Sequence, residues 1–352
     1  MNKMAVLDFS KTSRSEYYTR WINGRSGDIV MALCWIPFSL LAIAVDDNTT
    51  HLQSLMFGVF LFSFFHQPLT MLLVYGDKER FNLRRTLFTW SPLFFVVAVV
   101  VALNINPLIL ALVAGLWNAE HTLMQRYGIT RIYGRMVGQR YGGVEIYMLF
   151  SWLIFVLIWV ASDPATQDRV ATLGLAGTNR RAFELLVDVG SVGGHILPFA
   201  LATVILIAFK WLLEERSHSC NRAKYLYLAS TAALFATILV HPLAGYIGYV
   251  GSHALEYFIL VNRSLENGYC RSREGGGALG MAVRWCGRLG FFGIYLASIA
   301  VVVWLLENKA SVFAYSMVFF TVGALHFFYD GFIWKLRQPK VAKSLGAENA
   351  ID

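Results

Sequence analysis

Long uncharged apolar blocks alternate along this chain with short polar segments. Ten blocks can be delimited, at 29–45, 53–75, 87–104, 107–125, 143–161, 188–213, 225–241, 249–264, 288–306 and 311–334. At 1.5 Å rise per residue, a helix needs roughly 20 apolar residues to cross a hydrocarbon layer about 30 Å thick. None of the blocks shows the ten-residue alternation of a transmembrane barrel strand. A backbone in lipid must satisfy its own hydrogen bonds, which makes the helix the default. The pattern therefore predicts an all-α, polytopic integral membrane bundle of about ten transmembrane helices over residues 29–334. An amphipathic arm (1–28) precedes it and a polar tail (335–352) follows. The segment 162–187 is the one long connection expected on its side of the membrane.

Composition narrows this picture. Hydrophobic residues make up 57% of the chain and charged residues 15%, well below the roughly 25% charged of soluble domains. The net charge of +8 raises the question of nucleic acid, but the basic residues sit in short segments between apolar blocks. Alternating those segments between two faces places 26 of the 30 Lys and Arg on one side, leaving only Arg169, Arg180, Arg181 and Lys309 on the other. The positive-inside rule then puts both termini in the cytoplasm, and a bacterial inner membrane is the expected location. The lipid bilayer is the expected partner, not nucleic acid. Four cysteines show no CxxC spacing, and Cys270 and Cys286 share one basic loop, so disulfides are not expected in that reducing setting. The basic, aromatic stretch Gln125–Arg135 reads as surface anchoring by arginine and tyrosine rather than as phosphate recognition. No P-loop, Rossmann or serine-hydrolase signature is present.

Ionisable groups within apolar blocks are costly and mark function. His66 lies twelve residues before Lys78, His253 ten before Arg263 and His326 nine before Lys335. At 1.5 Å per residue these three sit about 14–18 Å from the basic boundary. His121 precedes Arg126 by five residues and Arg131 by ten, which places it at about 8–15 Å on the same scale. Four histidines on four helices thus converge near one level. Acids accompany them: Glu120 adjoins His121, Glu256 follows His253 by three, and Asp330 follows His326 by four. Spacings of three and four share a helix face. Imidazoles with carboxylates on bundle helices are a way to build an iron site, and they suit iron, zinc or manganese better than copper(I). The expected metal ligands are His66, His121, His253 and His326, with Glu256, Asp330 and Glu120 as ligands or as groups that orient the imidazoles. Asn118 and Tyr257 are candidates to hydrogen-bond a metal-bound water or oxygen species. His195 and His241 fall toward the other side of the membrane, and His51 and His218 fall in polar segments.

Isolated histidines on several spans, with a late His326 followed by Asp330 and the run Gly331-Phe332-Ile333-Trp334, resemble the histidine-rich membrane non-heme iron enzymes. The layout is nearest to the Brp/Blh-type bacterial β-carotene dioxygenase family. That resemblance implies iron, mononuclear or dinuclear, with dioxygen as co-substrate and an isoprenoid, carotenoid or other lipophilic molecule as substrate. The clustered HxxxH and HxxHH boxes of membrane desaturases and hydroxylases are absent. Two other readings stay open on the residues alone. A proton- or ion-coupled transporter could use the same His/acid set as a relay, and a bis-His haem protein would need two of the histidines.

Overall fold

The computed structural model describes residues 17–139, 142–172, 180–216, 219–270 and 276–347. The basic residues Lys3, Lys11, Arg14, Arg140, Arg271 and Arg273, together with His218 and Gly275, lie outside them. The helices are α1 (Gly24–Leu33), α2 (Trp35–Ala44), α3 (Thr49–Tyr75), α4 (Lys78–Leu83), α5 (Arg85–Ile105), α6 (Pro107–Arg135), α7 (Gly143–Ser162), α8 (Pro164–Thr172), α9 (Arg180–Glu215), α10 (Arg222–Val240), α11 (Pro242–Leu265), α12 (Gly277–Lys309), α13 (Val312–Ile333) and α14 (Pro339–Ser344). A π turn, Glu266–Cys270, extends α11. The only strand pairing among the described residues is a two-residue parallel match of Tyr17–Tyr18 with Cys220–Asn221.

Each expected apolar block falls on helix, the first on the α1–α2 pair. Among the described residues, eight helical segments are long and apolar enough to cross a membrane. The two blocks that fail this criterion are those on α6 and α11, and the reason is chemical. Block 107–125 carries Asn118, Glu120 and His121, and block 249–264 carries His253, Glu256 and Arg263; such polar groups lower the mean hydropathy of otherwise apolar segments. The connection 162–187 holds more structure than expected, since α8 occupies part of it and α9 already begins at Arg180.

Local chemistry sets the boundaries. Asn106 caps α6 by accepting from the amides of Leu108 and Ile109 at 3.0 and 3.3 Å, and Pro107 at the first helical position lacks the amide that would go unpaired there. Pro242 starts α11 in the same way. The 33 residues of α12 bend at Gly287, whose φ of 70° and ψ of 171° would strain any residue bearing a Cβ. This is where the expected block 288–306 begins.

The centre of the bundle is α11, with 16 of its 24 residues buried. It packs on α2, α3 and α10. Close approach requires missing side chains. A Cβ at Gly248 would lie 2.2 Å from Ser39 Oγ, and one at Gly251 would meet the Phe38 ring at 2.8 Å. Small residues at such contacts let helices pack where apolar surroundings give no hydrophobic drive. By contrast α9 is peripheral: none of residues 191–214 is buried, and Phe199 and Leu206 are 73% and 69% exposed. At the basic end, residues 335–347 fold back onto the bundle. Asn267 Nδ2 donates to the Ser344 carbonyl at 2.9 Å, and Val341, Ala342 and Leu345 join a buried cluster with Ile22, Ile129 and Tyr133. Asp28, at the end of the expected arm, is buried there too and accepts from the Tyr133 hydroxyl at 2.8 Å.

Candidate metal centre

Four helices each bring one histidine to the same place. His66 comes from α3, His121 from α6, His253 from α11 and His326 from α13. His66, His253 and His326 are fully buried and His121 is 7% exposed. Their rings form a closed ring of neighbours. Centroids lie 4.6 Å apart for His66–His326, 4.7 Å for His66–His253, 5.0 Å for His121–His253 and 4.7 Å for His121–His326. Nε2 of His66 faces Nε2 of His326 at 3.0 Å. Two nitrogens bound to one ion at about 2.1 Å each and separated by 3.0 Å would subtend roughly 90° at it.

The nitrogens not used in that contact are mostly without partners. Nδ1 of His66, Nε2 of His121 and both ring nitrogens of His253 are buried and make no hydrogen bond. Leaving a buried polar group unsatisfied costs about 1–3 kcal/mol, and several such atoms around one point make a donor set that could hold a metal ion. Two groups of side chains can each present ligand atoms within 4.8 Å of one another: His66, His253 and His326, and His121, His326 and Asp330. They share His326, so the four imidazoles and Asp330 border one space.

Asp330 and His326 are held by a residue that the sequence reading did not single out. Thr70 lies one turn after His66 on α3 and is fully buried. Its hydroxyl donates to Asp330 Oδ1 at 3.0 Å and lies 2.7 Å from His326 Nδ1 and 2.5 Å from the Tyr257 hydroxyl. A hydroxyl has one hydrogen and two lone pairs. With the hydrogen given to Asp330, His326 Nδ1 must be the donor in its contact with Thr70, which leaves Nε2 as a lone pair facing His66. That is the arrangement by which outer groups orient a ligating imidazole. With Thr70's hydrogen on Asp330, the one hydrogen of the Tyr257 hydroxyl is shared between Thr70 at 2.5 Å and the same Asp330 oxygen at 3.1 Å. Tyr257 therefore positions the carboxylate, which is a different task from the oxygen-binding role expected for it. The second oxygen of Asp330 lies 3.8 Å from His121 Nε2 and 3.7 Å from His326 Nδ1.

The remaining candidates separate. Glu256 is engaged elsewhere: its Oε1 pairs with Arg126 Nη2 at 2.8 Å, both side chains fully buried, and its Oε2 accepts from Gln125 at 3.1 Å. Arg126 also donates to Thr231 and Ser252. A fully buried arginine needs such a counter-charge, and this one takes the acid expected at the metal. Arg126, read from the sequence as a boundary charge, is thus interior, and α6 runs on to Arg135. Glu120 is half-buried on the wall of a cavity of about 700 Å³ that also touches His121 and Asp330. Asn118 lines a different cavity, apolar and about 610 Å³. Phe327 borders both cavities, with its ring 4.7 Å from that of His121. His195 is exposed on α9 and its Nδ1 contacts the Ser191 carbonyl of its own helix at 3.0 Å. His241 is exposed at the α10–α11 junction and His51 at the start of α3, so none of these joins the cluster. A Thr four residues after a buried histidine was the available signal for Thr70; nothing local distinguished Arg126 from its neighbours. No protein-family model, curated protein or solved structure matches this chain, so the geometry of this centre alone carries its functional reading.

Proposed function

We propose that this protein is an integral membrane enzyme whose histidine cluster holds a transition metal, non-heme iron, and that it acts with dioxygen on a lipophilic substrate. In this reading all ten apolar blocks cross the membrane, the termini face the cytoplasm, and α6 and α11 cross as the interior helices. The observation that carries it is the cluster: four buried imidazoles from four helices, with His66 and His326 nitrogens 3.0 Å apart and both nitrogens of His253 unpartnered. Imidazoles with one carboxylate suit iron, zinc or manganese, and iron is the choice that also accounts for the resemblance to histidine-rich membrane oxygenases. Iron bound there would supply oxidation chemistry with dioxygen as co-substrate. The chain's own residues do the rest. Thr70 and Tyr257 hold Asp330 and fix the His326 ring, while Phe327 and the surrounding helices keep bulk water from the cluster.

The two other readings fit less well. A bis-His haem would use two of the four imidazoles and leave the other two and Asp330 without a role. A carrier would continue its polar path beyond the cluster. The adjoining 610 Å³ cavity instead presents mainly apolar side chains, with Ser63, Gln67 and Asn118 among the few polar ones. The test is metal analysis of the purified full-length protein, with an optical spectrum. One or two iron ions per chain without a haem band, lost in His253→Ala, are expected. A chain free of metal, or equal metal content in that variant, refutes the reading.

A further inference from the structure

The 700 Å³ cavity has two unlike ends. His121 and Asp330 lie at one, and Arg131, Arg135, Lys335 and Arg337 at the other, where α6 and α13 finish. Between them the wall is largely apolar, with Met124, Leu260, Phe327 and Trp334 among its residues. No ion pair joins any of the four cations to a carboxylate among the described residues. Arg131 is the most telling. It is only 7% exposed; its Nη2 donates to the Gln139 carbonyl at 3.1 Å, while its Nη1 is buried with no partner. Arg135 is one turn further along the same face, so two guanidinium groups and their charges adjoin. An arginine this buried, with an unpaired nitrogen and like charges around it, is costly unless a counter-ion is present.

Backbone has been cleared for this side chain. A Cβ at Gly142 would lie 2.4 Å from Arg131 Nη1 and 2.7 Å from its Cζ. Guanidinium groups with a neighbouring ammonium match a phosphate or carboxylate. A neutral hydrocarbon would have no use for the cations, and a free inorganic anion none for the apolar wall. Position and charge together call for a ligand with both parts.

We propose that this cavity binds an acidic amphiphile, its phosphate or carboxylate headgroup held by Arg131, Arg135, Lys335 and Arg337 and its chain lying along the wall toward His121 and Phe327. This replaces surface anchoring as the role of Arg131 and Arg135. It names the substrate class of the proposed enzyme and rests on that reading for the word substrate, while binding itself is independent of the metal. The experiment uses full-length protein in nanodiscs of neutral phosphatidylcholine, with binding followed by native mass spectrometry. The probes are dodecyl phosphate, dodecanol and inorganic phosphate. Dodecyl phosphate should bind at least about tenfold more tightly than either of the others, and Lys335→Gln/Arg337→Gln should weaken it at least about tenfold. Lys335 is half-buried and Arg337 exposed, so the double variant should fold; Arg131→Gln provides a second, more severe test. Equal binding of dodecanol, equal binding of inorganic phosphate, or undiminished binding in the double variant overturns the proposal. Repeating the titration on His253→Ala separates the two readings. Alkyl phosphate binding that persists there supports the amphiphile site whatever the metal content proves to be.

Discussion

Replacing Thr70 by Val removes one oxygen at nearly constant volume, from a fully buried position. The hydroxyl has three partners, at 2.5 Å (Tyr257), 2.7 Å (His326) and 3.0 Å (Asp330). Asp330 keeps the Tyr257 contact at 3.1 Å. His326 Nδ1 keeps nothing in hydrogen-bonding range, because the other Asp330 oxygen is 3.7 Å away. One buried N–H left without an acceptor costs about 1–3 kcal/mol. The ring is then free to turn, and loss of such an orienting partner typically weakens metal affinity about 10–100-fold. Thr70→Ser keeps the oxygen and should stay near wild type. Competition against a chelator of known affinity, on purified protein in detergent, measures the difference directly. Thermal unfolding of the metal-free forms measures the structural part separately. Equal metal affinity for Thr70→Val and wild type would refute the assignment of Thr70 as the group that orients His326.

Other outcomes follow from the same geometry. His326→Ala should lose the metal, because both candidate ligand groups share this residue, whereas His195→Ala and His241→Ala should retain it; metal content of the three variants decides. Glu256→Gln strands the buried Arg126 charge, which typically costs about 3–5 kcal/mol when a buried pair is broken. It should therefore lower thermal stability while the folded fraction still binds metal. Loss of metal at unchanged stability would make Glu256 a ligand after all. Gly142→Ala should push the Arg131 guanidinium out of place, since the added carbon would lie 2.4 Å from Nη1, and should weaken dodecyl phosphate binding while leaving metal content unchanged.

Much of this protein was legible in one dimension because the membrane is a demanding solvent. An uncharged block of about 20 residues has few options besides a helix, so the helices could be delimited before any packing was considered. The histidines were legible for the same reason. A costly group inside such a block stands out, and a fixed rise per residue turns distance from the basic boundary into depth, which brought four of them to one level. Direction around each helix axis was not recoverable in this way. Glu256 and Asp330 follow their histidines by three and four residues and looked equivalent. Only packing decided their partners: α6 against α11 brings Glu256 to Arg126 at 2.8 Å, and α13 against α3 brings Asp330 to Thr70 at 3.0 Å beside the cluster. Thr70 was hidden because a threonine in an apolar helix is unremarkable until a partner helix places His326 2.7 Å from it. Arg126 and Arg131 looked like boundary charges because sequence records how far along a helix a residue lies, whereas burial depends on what the neighbouring helices cover.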